Sequence, residues 1–136
     1  MALLKITDED ILRQTPPTEG WFLLEIMDCK EEIKPKKAEG KEYDTYTYSL
    51  KVIKQSPDVA EDNIGRWGMV TFYTTAMGFM IPFVESCLET KLTASIEFDP
   101  HKLVGKQIMG QNVKGVYKDK PNYKWETWAP ASGCPF

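Results

Sequence analysis

Alternation is clearest from Tyr43 to Lys54, YDTYTYSLKVIK, where Tyr46, Tyr48, Leu50 and Val52 fall on one side of a strand and Thr45, Thr47, Ser49 and Lys51 on the other. Leu50 and Val52 mark the side that meets the core. Upstream, WFLLEIMDCKEEI is apolar on both faces, which predicts a strand over residues 21–33 lying centrally in a sheet or curling through a barrel. RWGMVTFYTT, rich in β-branched and aromatic residues, predicts a third strand over 66–75, with Gly68 marking a bulge or bend. The period then changes: Met77, Met80, Ile81, Val84, Cys87 and Leu88 recur at helical spacing between Ala76 and Thr90, with Pro82 kinking that helix or restarting it. LTASIEF reads as a short extended piece. Two last strands are expected over 106–117 and 123–128, joined by the turn KDKPN.

Three strands, a helix and two strands predict a mainly β domain, a five-stranded OB-like barrel with the helix between the third and fourth strands. Residues 20–130 form that domain. Residues 1–19 read as an N-terminal arm, in which Thr7 and Asp10 make a capping box and Pro16-Pro17 stops a short acidic helix. Residues 131–136 are a short tail. In FDPHKLVG, Asp99 caps a short helix that Pro100 begins and Gly105 ends, and this makes the one histidine, His101, a helix residue rather than a catalyst.

With 136 residues, 42% of them hydrophobic, the chain is long enough for one real core. No apolar run approaches membrane-spanning length, and the N-terminus carries no secretory pattern. Cys29, Cys87 and Cys134 are odd in number, distant and without CxxC pairing, which argues against disulfides and zinc and for a reducing, cytoplasmic setting. The net charge of −3 hides an uneven distribution: residues 1–55 carry nine basic and eleven acidic side chains, 56–100 two and seven, and 101–136 six and two. A basic last quarter on an acidic chain can present a local positive surface.

That quarter holds the candidate chemistry. From Leu103 to Trp128, Lys114, Lys118, Lys120 and Lys124 alternate with Tyr117, Tyr123 and Trp125. Cations that neutralise phosphates, set beside rings on which bases stack, are what sequence-indifferent binding of single-stranded nucleic acid requires. The loop KPKKAEGKE after the first strand adds Lys36 and Lys37; Arg66, Trp67, Tyr73 and Tyr46 complete the candidate set from the second and third strands. Trp125 and Trp128 are expected in the core. No G-x-S-x-G, HExxH, P-loop or GxGxxG string is present, so neither an enzyme nor a cofactor or metal requirement is expected. The rival class is a protein-interaction or virion-associated β-barrel whose aromatics meet another polypeptide.

The landmarks GWFLLEI, YTYSLKVI after a glycine-containing loop, IGRWGMVTFYTT, LVGK and VKGVYKDKPNYKWETWAP span about four fifths of the chain, and in that order they resemble a bacteriophage family of single-stranded DNA-binding proteins. The resemblance implies an OB-like barrel that coats exposed strands during phage DNA replication or recombination in the host cytoplasm, with a homo-oligomer among the states left open. Pro135-Phe136 resembles the tip through which bacterial single-stranded DNA-binding proteins recruit replication and repair partners, although APASGC before it lacks that tip's acids.

Overall fold

Seventeen consecutive residues, Gly20–Lys36, form the strand β1 on which the rest of the molecule is assembled. The structure, a computed structural model, describes residues 3–36 and 41–136, and for residues 34–36, 41–43, 117, 120 and 121 the backbone alone. After a short α1 (Asp8–Gln14) come β1, β2 (Lys41–Gln55), β3 (Trp67–Tyr73), α2 (Ile81–Leu88), β4 (Gln107–Tyr117) and β5 (Lys120–Pro130). All neighbouring strands are antiparallel, in the order β3-β2-β1-β4-β5.

Among the described residues this sheet is open: no hydrogen-bonded ladder joins β3 to β5, so the closed barrel expected from the sequence is corrected to an open five-stranded sheet. Closure stops at side-chain contact. A Cβ on Gly68 of β3 would lie 3.0 Å from the Trp125 ring of β5, so this glycine makes room for a tryptophan. The β2–β3 register runs through Gly68 unbroken, and the expected bulge is absent there. Bulges fall instead at Met27 of β1, Ile53 of β2 and Glu126 of β5, each an extra residue that the register passes over.

One face of the sheet is covered by α2. Phe22, Leu24 and Ile26 of β1, Tyr48, Leu50 and Val52 of β2 and Phe72 of β3 pack against Phe83 and Val84 of α2, with Leu103 and Ile108 completing the core. Fully burying each large apolar side chain contributes about 1.5–3 kcal/mol. Phe83 is the hub, its ring centroid 4.9–5.0 Å from those of Tyr48, Phe72 and Trp128. Trp125 and Trp128 stack on each other at 5.7 Å and pack against this cluster, as the sequence suggests.

The helix expected over 76–90 is divided. Thr74–Phe79 is a 3₁₀ segment broken at Ala76 (φ −143°, ψ 55°), and α2 begins only at Ile81, with Pro82 in its first turn where its missing N–H has no carbonyl to serve. LTASIEF forms no strand; Leu92 and Phe98 pack on the core from an irregular connection. The β4–β5 turn is shorter than KDKPN. Lys118 (φ 51°) and Asp119 (φ 62°) make a two-residue turn of the primed kind, whose twist suits a hairpin, and Pro121 lies inside the edge strand β5 opposite Val116.

Candidate nucleic-acid interface

The sheet face turned away from α2 follows from the β2–β3 register. Lys51 pairs with Trp67, Ser49 with Met69, Thr47 with Thr71 and Thr45 with Tyr73, and none of these side chains belongs to the core that Tyr48, Leu50 and Phe72 enter from the other side. Thr47 and Thr71 hydrogen-bond through their hydroxyls at 2.9 Å. Met69 is 68% and Tyr73 46% exposed. Trp67 and Tyr73 stand six residues apart on one strand, about 20 Å at 3.3 Å per residue. Between them lies a row of hydroxyl, thioether and ammonium groups.

At the Trp67 end this face meets the arm. The Arg13 guanidinium lies 4.3 Å from the centre of the Trp67 ring, a cation–π contact, and Leu12 packs against Gly65. Arg13, Gln14, Pro16, Ser49, Trp67 and Met69 thereby line a groove of about 430 Å³. Two buried N–H groups beside it, Arg66 Nε and Trp67 Nε1, have no hydrogen-bond partner among the described residues. Buried donors are rarely left unsatisfied, and these two are exceptions among the described side chains.

The remaining sequence candidates divide. Tyr46 does not share the open face: it lies on the core side of β2, its hydroxyl donating to Glu31 at 3.4 Å and its ring against His101. Arg66 Nη1 is already held by Asn63 Oδ1 at 3.0 Å and Glu61 at 3.4 Å, so little of its charge is left for a phosphate. Lys114 and Tyr123 pair across the β4–β5 hairpin, but they share a groove with Glu19, Asp58 and Glu61, and Glu19 accepts from the Lys114 backbone N–H. Acidic neighbours there offset the lysine. Lys118 and Lys124 are exposed on the hairpin; Tyr117 and Lys120 belong to it by their backbone, their side chains lying outside the description. Lys36 ends β1 opposite Lys41, and Lys37 lies outside the described residues.

The two lysine groups do not converge. Gly20, at the start of β1, pairs with Asn112 of β4, whereas the Lys36–Lys41 pair closes its far end, so the β4–β5 hairpin and Lys36 belong to opposite ends of the longest strand. Lys51, Met69, Thr71 and Arg13 were not singled out by sequence reasoning. For Lys51 the signal was present, since the alternation of β2 already sets it apart from the core row.

Pro135 and Phe136 pack back on the protein itself, lining a groove with Trp21, Pro57, Met109 and Ala129 on the sheet face opposite α2. Just upstream, the Ser132 side chain and its N–H, the latter at 3.0 Å, donate to the Glu89 carboxylate at the end of α2 and hold that carboxyl below its ordinary pKa. Among the described residues no three His, Cys, Asp or Glu side chains cluster as a metal site would require, and no helix is long and apolar enough to cross a membrane. Comparison of the sequence with protein-family models and with curated proteins finds no match.

Proposed function

We propose that the protein binds single-stranded DNA without sequence preference on the open face of β2 and β3. The observation that carries this reading is the outward row Trp67, Met69, Thr71 and Tyr73 beside Thr47, Ser49 and Lys51: two rings and a cation on a surface the core does not use. Stacking on such rings is worth about 1–3 kcal/mol per base. The strand order supports an OB-like, partly open barrel, because joining β3 to β5 would complete the ring and Trp125 already reaches Gly68 at the start of β3. In that architecture the strand 2–3 face forms part of the ligand surface, and here that face carries Trp67, Tyr73 and Lys51.

A role in coating exposed strands during phage replication or recombination follows from the family resemblance, with replication or recombination proteins as further partners. The test is titration of intrinsic tryptophan fluorescence with oligo-dT at several salt concentrations. Quenching that saturates and weakens with salt, with log K falling at a slope near −3 for about four neutralised phosphates, is expected. Trp67→Ala lowers affinity by about 1–3 kcal/mol, and Lys51→Ala shallows the slope by about 0.7. Absence of quenching, or salt-independent binding, overturns the reading in favour of a protein-interaction module.

A further inference from the structure

Two apolar surfaces of this molecule have no place in a phosphate-binding site. The first is the arm: Leu3 is 92%, Leu4 95%, Ile6 76% and Ile11 56% exposed, and α1 buries none of its residues. Four such side chains put on the order of 500 Å² of apolar surface in one short segment, near the top of what a monomer leaves uncovered. The second begins at the free edge of β3. From Trp67 to Val84 the chain has no charged residue, and Met77, Phe79 and Ile81 just beyond the strand are 41%, 80% and 44% exposed. Sheet edges left open in solution are normally protected by charge, proline or a bulge; Met69 to Tyr73 has none of these.

We propose that a second copy of this chain covers both surfaces: the β3 edges of two protomers pair antiparallel across a two-fold axis, and each arm lies against its partner's 3₁₀ segment. The placement follows from the topology. Leu12 at Gly65 and Arg13 over Trp67 root the arm at the start of β3. In an antiparallel pair the start of one β3 adjoins the end of the other, so an arm leaving over Trp67 arrives at the partner's Tyr73 and Phe79. Donor and receiver are thus on the same chain and self-complementary, as a two-fold interface demands. Two arms with the edges that receive them exceed the roughly 1,200 Å² of a stable interface. Trp125 crowds β3 only at Gly68, which leaves Met69–Tyr73 for pairing. The middle of the outward row stays uncovered, so the two protomers' Met69–Thr71 faces join into one continuous surface.

The experiment needs no nucleic acid, so its outcome is separate from that of the binding titration. Light scattering at tens of micromolar is expected to give twice the chain mass of 15.6 kDa. The triple variant Leu3→Ser, Leu4→Ser, Ile6→Ser weakens dimerisation more than about a hundredfold while leaving far-ultraviolet circular dichroism unchanged, because none of the three side chains touches its own core. In a Cys134→Ser background, Leu4→Cys on one tagged copy and Phe79→Cys on another are expected to join in a mixed disulfide on mild oxidation. A monomeric wild type, a dimer indifferent to the arm variant, or failure of the two cysteines to join would each overturn the proposal.

Discussion

Gly110 of β4 is a position where one added carbon would meet three core side chains at once. A Cβ built there lies 2.9 Å from Leu24 Cδ1, 2.9 Å from Trp128 Cζ3 and 3.1 Å from Trp125 Cε3. Leu24 is fully buried, and the two indoles stack on each other with planes 25° apart, so no single side chain can move to relieve all three contacts. Gly110→Ala is therefore an overpacking substitution, costing about 1–3 kcal/mol. At about 2.1 cal/mol/K of unfolding entropy per residue, the whole chain has about 0.29 kcal/mol/K, so the melting temperature falls by roughly 3–10 °C. The assay is thermal unfolding followed by near-ultraviolet circular dichroism at matched protein concentration, because stacked indoles report their own displacement. Gly78→Ala is the control, since no atom lies within 4 Å of a Cβ there. Equal melting temperatures for Gly110→Ala, Gly78→Ala and wild type would refute the packing of Trp125 and Trp128 over β4.

Three further outcomes follow from the core and its polar exceptions. Tyr48→Phe removes the hydroxyl that donates to Pro100 O at 2.8 Å and leaves that carbonyl without its donor, at a cost of about 1–2 kcal/mol read from urea unfolding; an unchanged midpoint would show the bond to be idle. Asn63, fully buried, accepts from Thr18 N–H and Arg66 Nη1 and donates to Thr18 Oγ1 and Glu61 O, so Asn63→Ala costs about 2–4 kcal/mol and raises proteolysis before Gly20, whereas digestion at the wild-type rate would discard its role as a clamp. Burial pushes the Cys87 thiol from its ordinary 9.0 up to about 12, so the unfolded chain loses this proton first; stability is complete below pH 9, falls as pH rises toward 12, and a denaturation midpoint flat from pH 8 to 10.5 would contradict it.

The β2 face, the hairpin of β4 and β5 and the inward tryptophans were legible because each is a local matter of alternation, turn chemistry or size. What escaped depends on pairing between distant segments. The sequence leaves Tyr46 as a core or rim residue and a stacking candidate, yet it shares its side of β2 with Tyr48 and Leu50, and His101, fifty-five positions away, meets its ring edge-on. Arg13 has no local pattern that would send it to Trp67. LTASIEF has strand-forming residues, but propensity needs a neighbour to pair with, and both edges of the sheet run elsewhere. Asn63 sits in an acidic, loop-like run, and nothing in SPDVAEDNIG marks the one polar side chain that is fully enclosed. The lysine loops were each identifiable, whereas their distance apart was set by how far β1 runs beyond its partner β4.

That distance changes what kind of site the molecule can offer. Charges gathered at one spot would hold a few nucleotides strongly, and a short oligonucleotide would bind as well as a long one. Here Lys36 and the hairpin lysines belong to opposite ends of β1, and the rings lie on β2–β3, so on the proposed reading cations and stacking platforms would be used together only by a strand long enough to cross the sheet. Exposed charges separated by more than about 10 Å are largely screened from one another at 0.1 M salt, so each end contributes its counterion release separately. On the proposed single-strand reading, affinity is expected to grow with length in steps as successive ends are engaged, and selectivity for extended single strands would arise from geometry, with no base read; equal affinity for short and long oligo-dT would refute this. On the proposed reading duplex DNA, too stiff to follow a sheet whose longest strand is bulged at Met27, is expected to engage one end at most.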